Sequence, residues 1–548
     1  MVPLGEHQNL DPVRRFRRVS VLMGTRFRGL LLLLTISGLG GVATGCDDGS
    51  VFHESFPIDP APAVSGPAWW GFGRDAQHSA VGAIASQDLG RIGWRKRIDL
   101  AQTFDSASGD LLIHYGSPVI TDQNTVVLPV KTSKDGGFQI EARSGGNGAL
   151  IWSADSDYRP PGQLWIPPYD LTLSATGRLY AAGAGGKLLW RDAPDSSTGD
   201  MQTTVFYGAD AYAATASTYD TNVIINTPIT VDAQGTAFFG FEVTGKNPAG
   251  LVSGIARVAA DGSGTWRGAS DAAGDPAIQK VATSSGPALS VDQKTLYVAV
   301  NSGYASMPPQ IGKLLALDSL TLSTLQVQPL VDPGTGKPAD VSDFSSASPT
   351  VGPDGDVYIG VMESNGVSHG SRGWMLHFDG ALATLKTPGS FGWDDTASIV
   401  PASMVPTYGG TSQYLLMTKY NNYKAQGVSG DGKNRIAVLD PSDTQPDAFS
   451  SVTVMKEVLT ILGPTPDPEA PGGVKEWCIN SAAVDALTHS VLVTSEDGVL
   501  YRWDLATNQL SQQIRLTSGL GQAYTPTAIG ADGAVYAIAD STLFGVGR

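Results

Sequence analysis

The stretch SPTVGPDGDVYIGV (348–361) decides the fold, because the chain repeats its pattern. A small residue and a proline lead into a short apolar run. An Asp-Gly turn follows, then a second apolar run carrying a tyrosine. TPITVDAQGTAFFG (227–240), GPALSVDQKTLYVAV (286–300) and TPTAIGADGAVYAIA (525–539) are close copies. Looser ones are SPVITDQNTVVLPV (117–130), YDLTLSATGRLYAAG (169–183) and SAAVDALTHSVLVTS (481–495). Two β-rich runs joined by Asp/Gly form a hairpin, since such a turn needs left-handed backbone and local side-chain hydrogen bonds.

A third strand follows most hairpins: GKLLWRD (186–192), GIARVAAD (254–261), GKLLALD (312–318), GWMLHFD (373–379), NRIAVLD (434–440) and GVLYRWD (498–504). A fourth, outer strand is visible as GALIW (148–152). Four antiparallel strands repeated along the chain are the blades of a β-propeller. First strands fall near 117, 170, 227, 286, 348, 398, 481 and 525, which gives eight blades. The last has only three strands before Arg548. IGWRKRID (92–99), upstream of the first blade, is expected to supply its fourth and close the ring without a free edge. Helical periodicity is almost absent.

Composition fits this reading. The 66 glycines and 34 prolines of the 548 residues punctuate strands, and charged residues are only 16%. The pI near 4.8 argues against a nucleic-acid partner, which needs a basic surface. Residues 1–45 differ. Arg14, Arg15, Arg17, Arg18, Arg26 and Arg28 precede an apolar run from Leu30 and the small residues Ala43-Thr44-Gly45, ahead of Cys46. This reads as a signal peptide. Small residues before a cysteine resemble a bacterial lipobox, which implies Cys46 as a lipidated N-terminus and a membrane anchor in the cell envelope; whether that is the inner or the outer membrane stays open. The segment holds six arginines against Glu6 and Asp11, so its removal moves the net charge from −16 to −20. Residues 46–66, polar and Pro-rich, read as a tether, and 67–548 as the propeller.

The lead-in AWWGFGRDAQHSAVG (68–82), the DG-x-V/L-Y hairpins and Trp152 in a G-x-x-x-W outer strand together resemble the quinoprotein-type (PQQ-like) β-propeller superfamily. The resemblance implies an eight-bladed fold over about 67–548. It leaves several functions open: quinone-dependent dehydrogenase, envelope scaffold lipoprotein, or carbohydrate-binding propeller. Quinone-binding members carry adjacent cysteines stacked on the cofactor. This chain has only Cys46 and Cys478, so neither PQQ nor calcium is expected, and no catalytic activity. Gly366-Val367-Ser368-His369-Gly370 matches a nucleophile elbow, yet another strand follows where that motif needs a helix. The seven histidines are scattered, and Asp292, Asp354, Asp497 and Asp532 read as turn residues rather than calcium ligands. Arg74, Asp75 and His78 read as structural.

In such a blade the first-to-second and third-to-fourth turns share one face. The longer second-to-third and inter-blade loops share the other. Loops 207–225, 301–312, 362–373, 420–434 and 463–480 therefore gather on one face. Their aromatics (Tyr212, Tyr219, Tyr304, Trp393, Tyr420, Tyr423 and Trp477) are the candidate binding surface, for another envelope protein or a polymer. Pro464, Pro466, Pro468 and Pro471 are expected to hold 463–476 extended, as a docking element or a stiff connector.

Overall fold

The computed structural model describes residues 66–548 except 105, 107–110, 135, 164, 304–309, 344–346, 365–371, 421–430, 469, 478 and 519–525. Cys46, Cys478, Tyr304, Tyr423, the 366–370 motif and the signal and tether segments lie outside these residues. The described chain is an eight-bladed propeller, nearly all β. Its innermost strands are Val119–Ile120, Thr172–Leu173, Thr230–Val231, Ala288–Leu289, Thr350–Val351, Ser398–Pro401, Ala483–Asp485 and Thr527–Ile529. These fall where the repeats place them. Arg91–Arg97 pairs antiparallel with Thr542–Gly547, from Arg91 opposite Gly547 to Arg97 opposite Thr542, and so completes the eighth blade as expected.

The residues that make the repeat recognisable tie one blade to the next. Hydroxyls on the inner strands donate across the seams: Thr172 Oγ1 to Ile229 O at 2.5 Å, Thr350 Oγ1 to Ala397 O at 2.9 Å, and Ser398 Oγ to Ala482 O at 2.7 Å. Hairpin tyrosines reach across as well. Tyr180 Oη donates to Gly235 O at 2.8 Å, Tyr297 Oη to Gly380 O at 2.6 Å, and Tyr536 Oη to Gly145 O at 3.2 Å. A buried hydroxyl needs a partner, and the neighbouring blade's turn supplies one. The Asp-Gly turns close locally. Asp354 Oδ1 accepts the Asp356 amide, and Gly355 sits at φ +91°, where a side chain would be strained.

Two blades depart from the pattern. The fifth has three regular strands, and its fourth edge touches only at the bridges Phe378–Leu385 and Met375–Gly389. The sixth compensates with a long outer hairpin, Arg435–Pro446 and Thr453–Leu462. Its tip crosses the seam: Met455 donates its amide to Pro388 O, and Val454 packs into the core of the fifth blade. Buried Arg372 locks this corner through a bidentate pair with Asp447 and a bond to Ser390 O. Loop 463–476 is not extended. It folds back, with a Pro466–Val474 bridge and the Asp467 amide donated to Gly473 O, because Gly472 and Gly473 permit a turn that its prolines alone would resist. Three short helices also appear, Ala209–Ala214, Ala216–Asn222 and Ala269–Ala273, each too brief to show a 3.6-residue period in sequence.

Candidate functional site: the axial mouth

The chain's own lead-in occupies one end of the propeller axis. Gly66 lies against Ala175 O, in the first-to-second turn of the second blade, so the chain arrives on the short-turn face. It then runs along the inner edges of the inner strands. Trp69 exchanges backbone bonds with Ile120. The amides of Leu173, Leu289, Val351, Ile399 and Val484 donate to the carbonyls of Trp70, Ala76, Gln77, Ser79 and Ala80 at 2.6–2.9 Å. Six blades are thus joined to one short segment. Val81–Gly82 pairs parallel with Ala483–Asp485, and Gln87 donates to Gly533 O in a turn of the eighth blade, so the chain leaves on the face by which it arrived.

The lead-in is held as a tight plug. Asp75 accepts the Gln77 and Ser79 amides, the Ser79 hydroxyl and Arg74 Nη1. Gly73 is at φ +57°, and a Cβ there would fall 2.7 Å from His78 Cβ, so only glycine fits. His78 is buried, with Nδ1 donating to Pro349 O at 2.7 Å. Burial pushes its pKa down to about 4, against the opposing pull of that bond and of Asp75. The structural roles read for Arg74, Asp75 and His78 therefore match the geometry.

The long-loop end differs. Each inter-blade crossing enters its inner strand through a few buried polar residues. At the second residue before the strand, a side chain accepts the previous blade's amide: Ser348 Oγ from Gly286, Thr396 Oγ1 from Ser348, and Asp170 Oδ1 from Ser117. Asp170 is a carboxylate where Ser348 and Thr396 use a hydroxyl, and its Oδ2 has no partner. Burial raises its pKa to about 7. At the fourth residue before the strand, three blades place Asn226, Ser284 and Asp394. Asn226 Oδ1, Ser284 Oγ and Asp394 Oδ2 are buried without hydrogen-bond partners, and so is Asn480 Oδ1 in the seventh blade. Ser284 and Asp394, at equivalent positions, both adopt left-handed backbone with φ +69° and +55°.

Cations on this face are already matched. Lys280 Nζ lies 2.8 Å from Asp343 Oδ2 and 3.3 Å from Glu242 Oε2. Asp343 also accepts from Asn301, Gln310 and the Thr283 amide. Lys419 Nζ lies 2.6 Å from Asp394 Oδ1, and Lys131 pairs with Asp99. Next to Lys419, Asp395 accepts from Thr418 Oγ1, yet burial still raises it to about 7. Asp340 is raised by burial to about 6. The mouth is therefore acidic: Asp170, Glu242, Asp340, Asp343, Asp394 and Asp395 stand against Lys280 and Lys419. Among the described residues no group of three His, Cys, Asp or Glu could hold a metal ion.

The loop aromatics behave differently from an exposed platform. Tyr219, Trp393, Tyr420 and Trp477 are buried. Tyr420 Oη meets Ser390 Oγ at 2.6 Å beside the Arg372–Asp447 pair, and Tyr219 packs at a tilt against Tyr207 with ring centroids 4.7 Å apart. Trp477 packs edge-on to Tyr501. Each fixes a long loop onto its blade, since a large ring contributes more by burial than by exposure. Tyr212 is half-exposed and donates to Asp220, with Lys187 over its ring. The polar residues of the mouth were not singled out from sequence. Aligning the units on their inner strands would have placed Asn226, Ser284 and Asp394 in one column, and Asp170 in a column with Ser117, Ser348, Thr396 and Ser481.

Among solved structures, the chain is similar to a europium-containing methanol dehydrogenase (TM-score 0.53, 11% identity, covering 86% of this chain and 89% of that one). It is also similar to the quinohemoprotein alcohol dehydrogenase from Comamonas testosteroni (TM-score 0.52, 12% identity, 89% and 82% covered). The fold is the eight-bladed, quinoprotein-type propeller. BamB from Moraxella catarrhalis also matches, at TM-score 0.38 and 12% identity over 79% of this chain and 96% of that one. No protein-family model and no curated protein sequence matches the chain. At these identities the likeness concerns the fold alone. No helix of the described residues is long and apolar enough to cross a membrane.

Proposed function

We propose that this propeller is a non-redox binding module of the bacterial cell envelope, held to a membrane by lipid on Cys46 and presenting its long-loop face to a ligand or partner protein. The observation that carries the reading is the difference between the two ends of its axis. The short-turn end is filled by the chain itself, with the donors Trp69 Nε1 and Arg74 Nε left unpaired, while the long-loop end leaves buried acceptors on Asp170, Asn226, Asp394 and Asn480 unpaired.

The residues of the mouth do not fit a pyrroloquinoline quinone. That cofactor is a tricarboxylate and needs uncommitted cations. Here the three buried lysines of the face are each matched by carboxylates, and the described acids outnumber them. The sequence also lacks the adjacent cysteines that quinone-binding members stack beneath the ring.

Incubation of the full-length protein with pyrroloquinoline quinone and calcium is expected to give no alcohol-dependent dye reduction; turnover would overturn the non-redox reading. Cys46→Ala is expected to move the protein from the membrane pellet to the soluble fraction, and continued pelleting would remove the anchor from the account. Affinity capture from intact envelopes should enrich a partner that is lost when 463–476 is deleted.

A further inference from the structure

The seam between the second and third blades is left open at a large aromatic ring. In several blades one residue of the third strand pairs with the middle of the second: Trp190 with Tyr180, Ala316 with Tyr297, His377 with Tyr358 and Val438 with Met417. Ala316, His377 and Val438 are buried, whereas Trp190 stays half-buried. A single exposed apolar side chain is ordinary, but this one lines two cavities, of about 370 and 280 Å³. The larger runs from Tyr180 and Leu188 of the second blade to Val258 and Asp261 of the third. The smaller lies at the third-to-fourth turn of the second blade, with Asp192, Asp200 and Gln202. These turns belong to the short-turn face, opposite the long loops.

Bonds that cross this seam hold it at a fixed width. Tyr180 Oη donates to Gly235 O and Arg178 Nη1 to Ala260 O, both at 2.8 Å, and Thr204 Oγ1 donates to Gly262 O at 3.1 Å. Arg178 also donates Nε to Asp192 Oδ1 at 2.6 Å, and its guanidinium lies 4.2 Å from the centroid of Trp190, which fixes the indole. A cleft of a few hundred Å³ with pinned walls is preorganised for a ligand.

The lining selects the class of ligand. Trp190, Leu188 and Val258 form an apolar wall, while Asp192, Asp200, Asp261 and Gln202 are exposed polar groups beside it. Both arginines are engaged, Arg178 as above and Arg191 on the carbonyls of Ser196, Thr198 and Gly199. With three carboxylates in the lining, a phosphate or a uronate meets repulsion. A neutral sugar matches these walls. The C–H face of a pyranose packs on an indole, and its hydroxyls donate to carboxylates in charge-assisted bonds. Two cavities that share one ring suit a ligand longer than a single sugar.

We propose that this seam cleft binds a neutral oligosaccharide, with a sugar in each cavity and Trp190 as their common wall. The site lies on the face opposite the long loops and goes beyond the binding-module reading.

Isothermal titration of the full-length protein with maltotriose, cellotriose and triacetylchitotriose tests it, with the matching monosaccharides and trigalacturonate alongside. Saturable heat is expected from at least one neutral trisaccharide, with clearly weaker binding of its monosaccharide and none of trigalacturonate; which trisaccharide binds identifies the sugar. Trp190→Ala should weaken that ligand at least about tenfold, and Trp190→Phe should restore part of the loss. Gln202→Ala should weaken it about threefold, the loss of one hydrogen bond, and should melt with the parent because Gln202 is exposed. No saturable response to any of the three trisaccharides, an equal response to trigalacturonate, or affinity unchanged in both Trp190→Ala and Gln202→Ala would overturn the proposal. Envelope capture with 463–476 deleted reports on the opposite face, so the two readings fail separately.

Discussion

The two ends of the propeller axis are built from the same eight inner strands and leave different kinds of polar atom unpaired. At the short-turn end, Asp75 is engaged four times, His78 donates to Pro349, and six blades exchange backbone bonds with residues 69–80. At the long-loop end, Asp170, Asn226, Ser284, Asp394 and Asn480 each keep an oxygen unpartnered, whereas the unpaired atoms of the plug are the donors Trp69 Nε1 and Arg74 Nε. The first arrangement is what stability selects, and the second is what the proposed binding role would call for. Stabilising the mouth should therefore be easy and should cost function, whereas altering the plug should cost stability.

The largest expected effect is at the plug. Asp75→Ala leaves two backbone amides, a hydroxyl and Arg74 without their acceptor, and should lower stability by roughly 4 kcal/mol in denaturant titration. A loss under about 1 kcal/mol would mean that the lead-in is not what closes the ring.

Asp170→Asn should work in the other direction. The folded state raises this carboxyl to about 7 from an ordinary value near 3.8, so ionisation penalises folding. The penalty is absent below pH 4, grows through pH 4–7 and is complete above it. The neutral variant keeps the acceptor for Ser117 and should gain on the order of 3 kcal/mol at pH 8, with little gain at pH 4. A pH-independent gain would remove burial of the charge as its cause.

His78 gives the mirror image at the plug. Its folded value near 4 lies below the usual 6.5, so the protein loses stability as pH falls from 6.5 towards 4, where the unfolded chain takes up the proton first. His78→Asn should flatten that acid limb: whatever the lost ring contacts cost at pH 8, the variant should stand about 2 kcal/mol better against the parent at pH 4.5 than at pH 8. Melting curves across this range check the sign. The smallest effect is at Ser284: glycine at φ +69° relieves strain and removes an unpaired hydroxyl, for a gain of about 1 kcal/mol.

The ring was legible in sequence because its signature residues are the ones that bridge blades. Tyr180, Tyr297 and Tyr536 recur because each crosses a seam, and the Asp-Gly turns recur because each needs the same backbone. The closing strand Arg91–Arg97 was legible because an eighth blade with three strands needs a fourth. The plug was not, since nothing in AWWGFGRDAQHSAVG says that it lies along the axis; its role depends on carbonyls, which no side chain announces. The loop aromatics were legible as residues but not as buried ones, because long loops on a rigid ring fold back onto it, as Trp393 and Trp477 do. The mouth residues escaped for a related reason. Asn226, Ser284 and Asp394 matter for what they leave unbonded, and only the packed structure shows that.

The most direct test of this division combines Ser284→Gly with Asp170→Asn and compares the melting temperature with the parent at pH 8. The account predicts a rise of several degrees, about 4–8 °C for each kcal/mol in a small domain and proportionally less for a chain of this size. A fall in melting temperature would contradict it, because those residues would then hold the propeller together rather than hold a ligand.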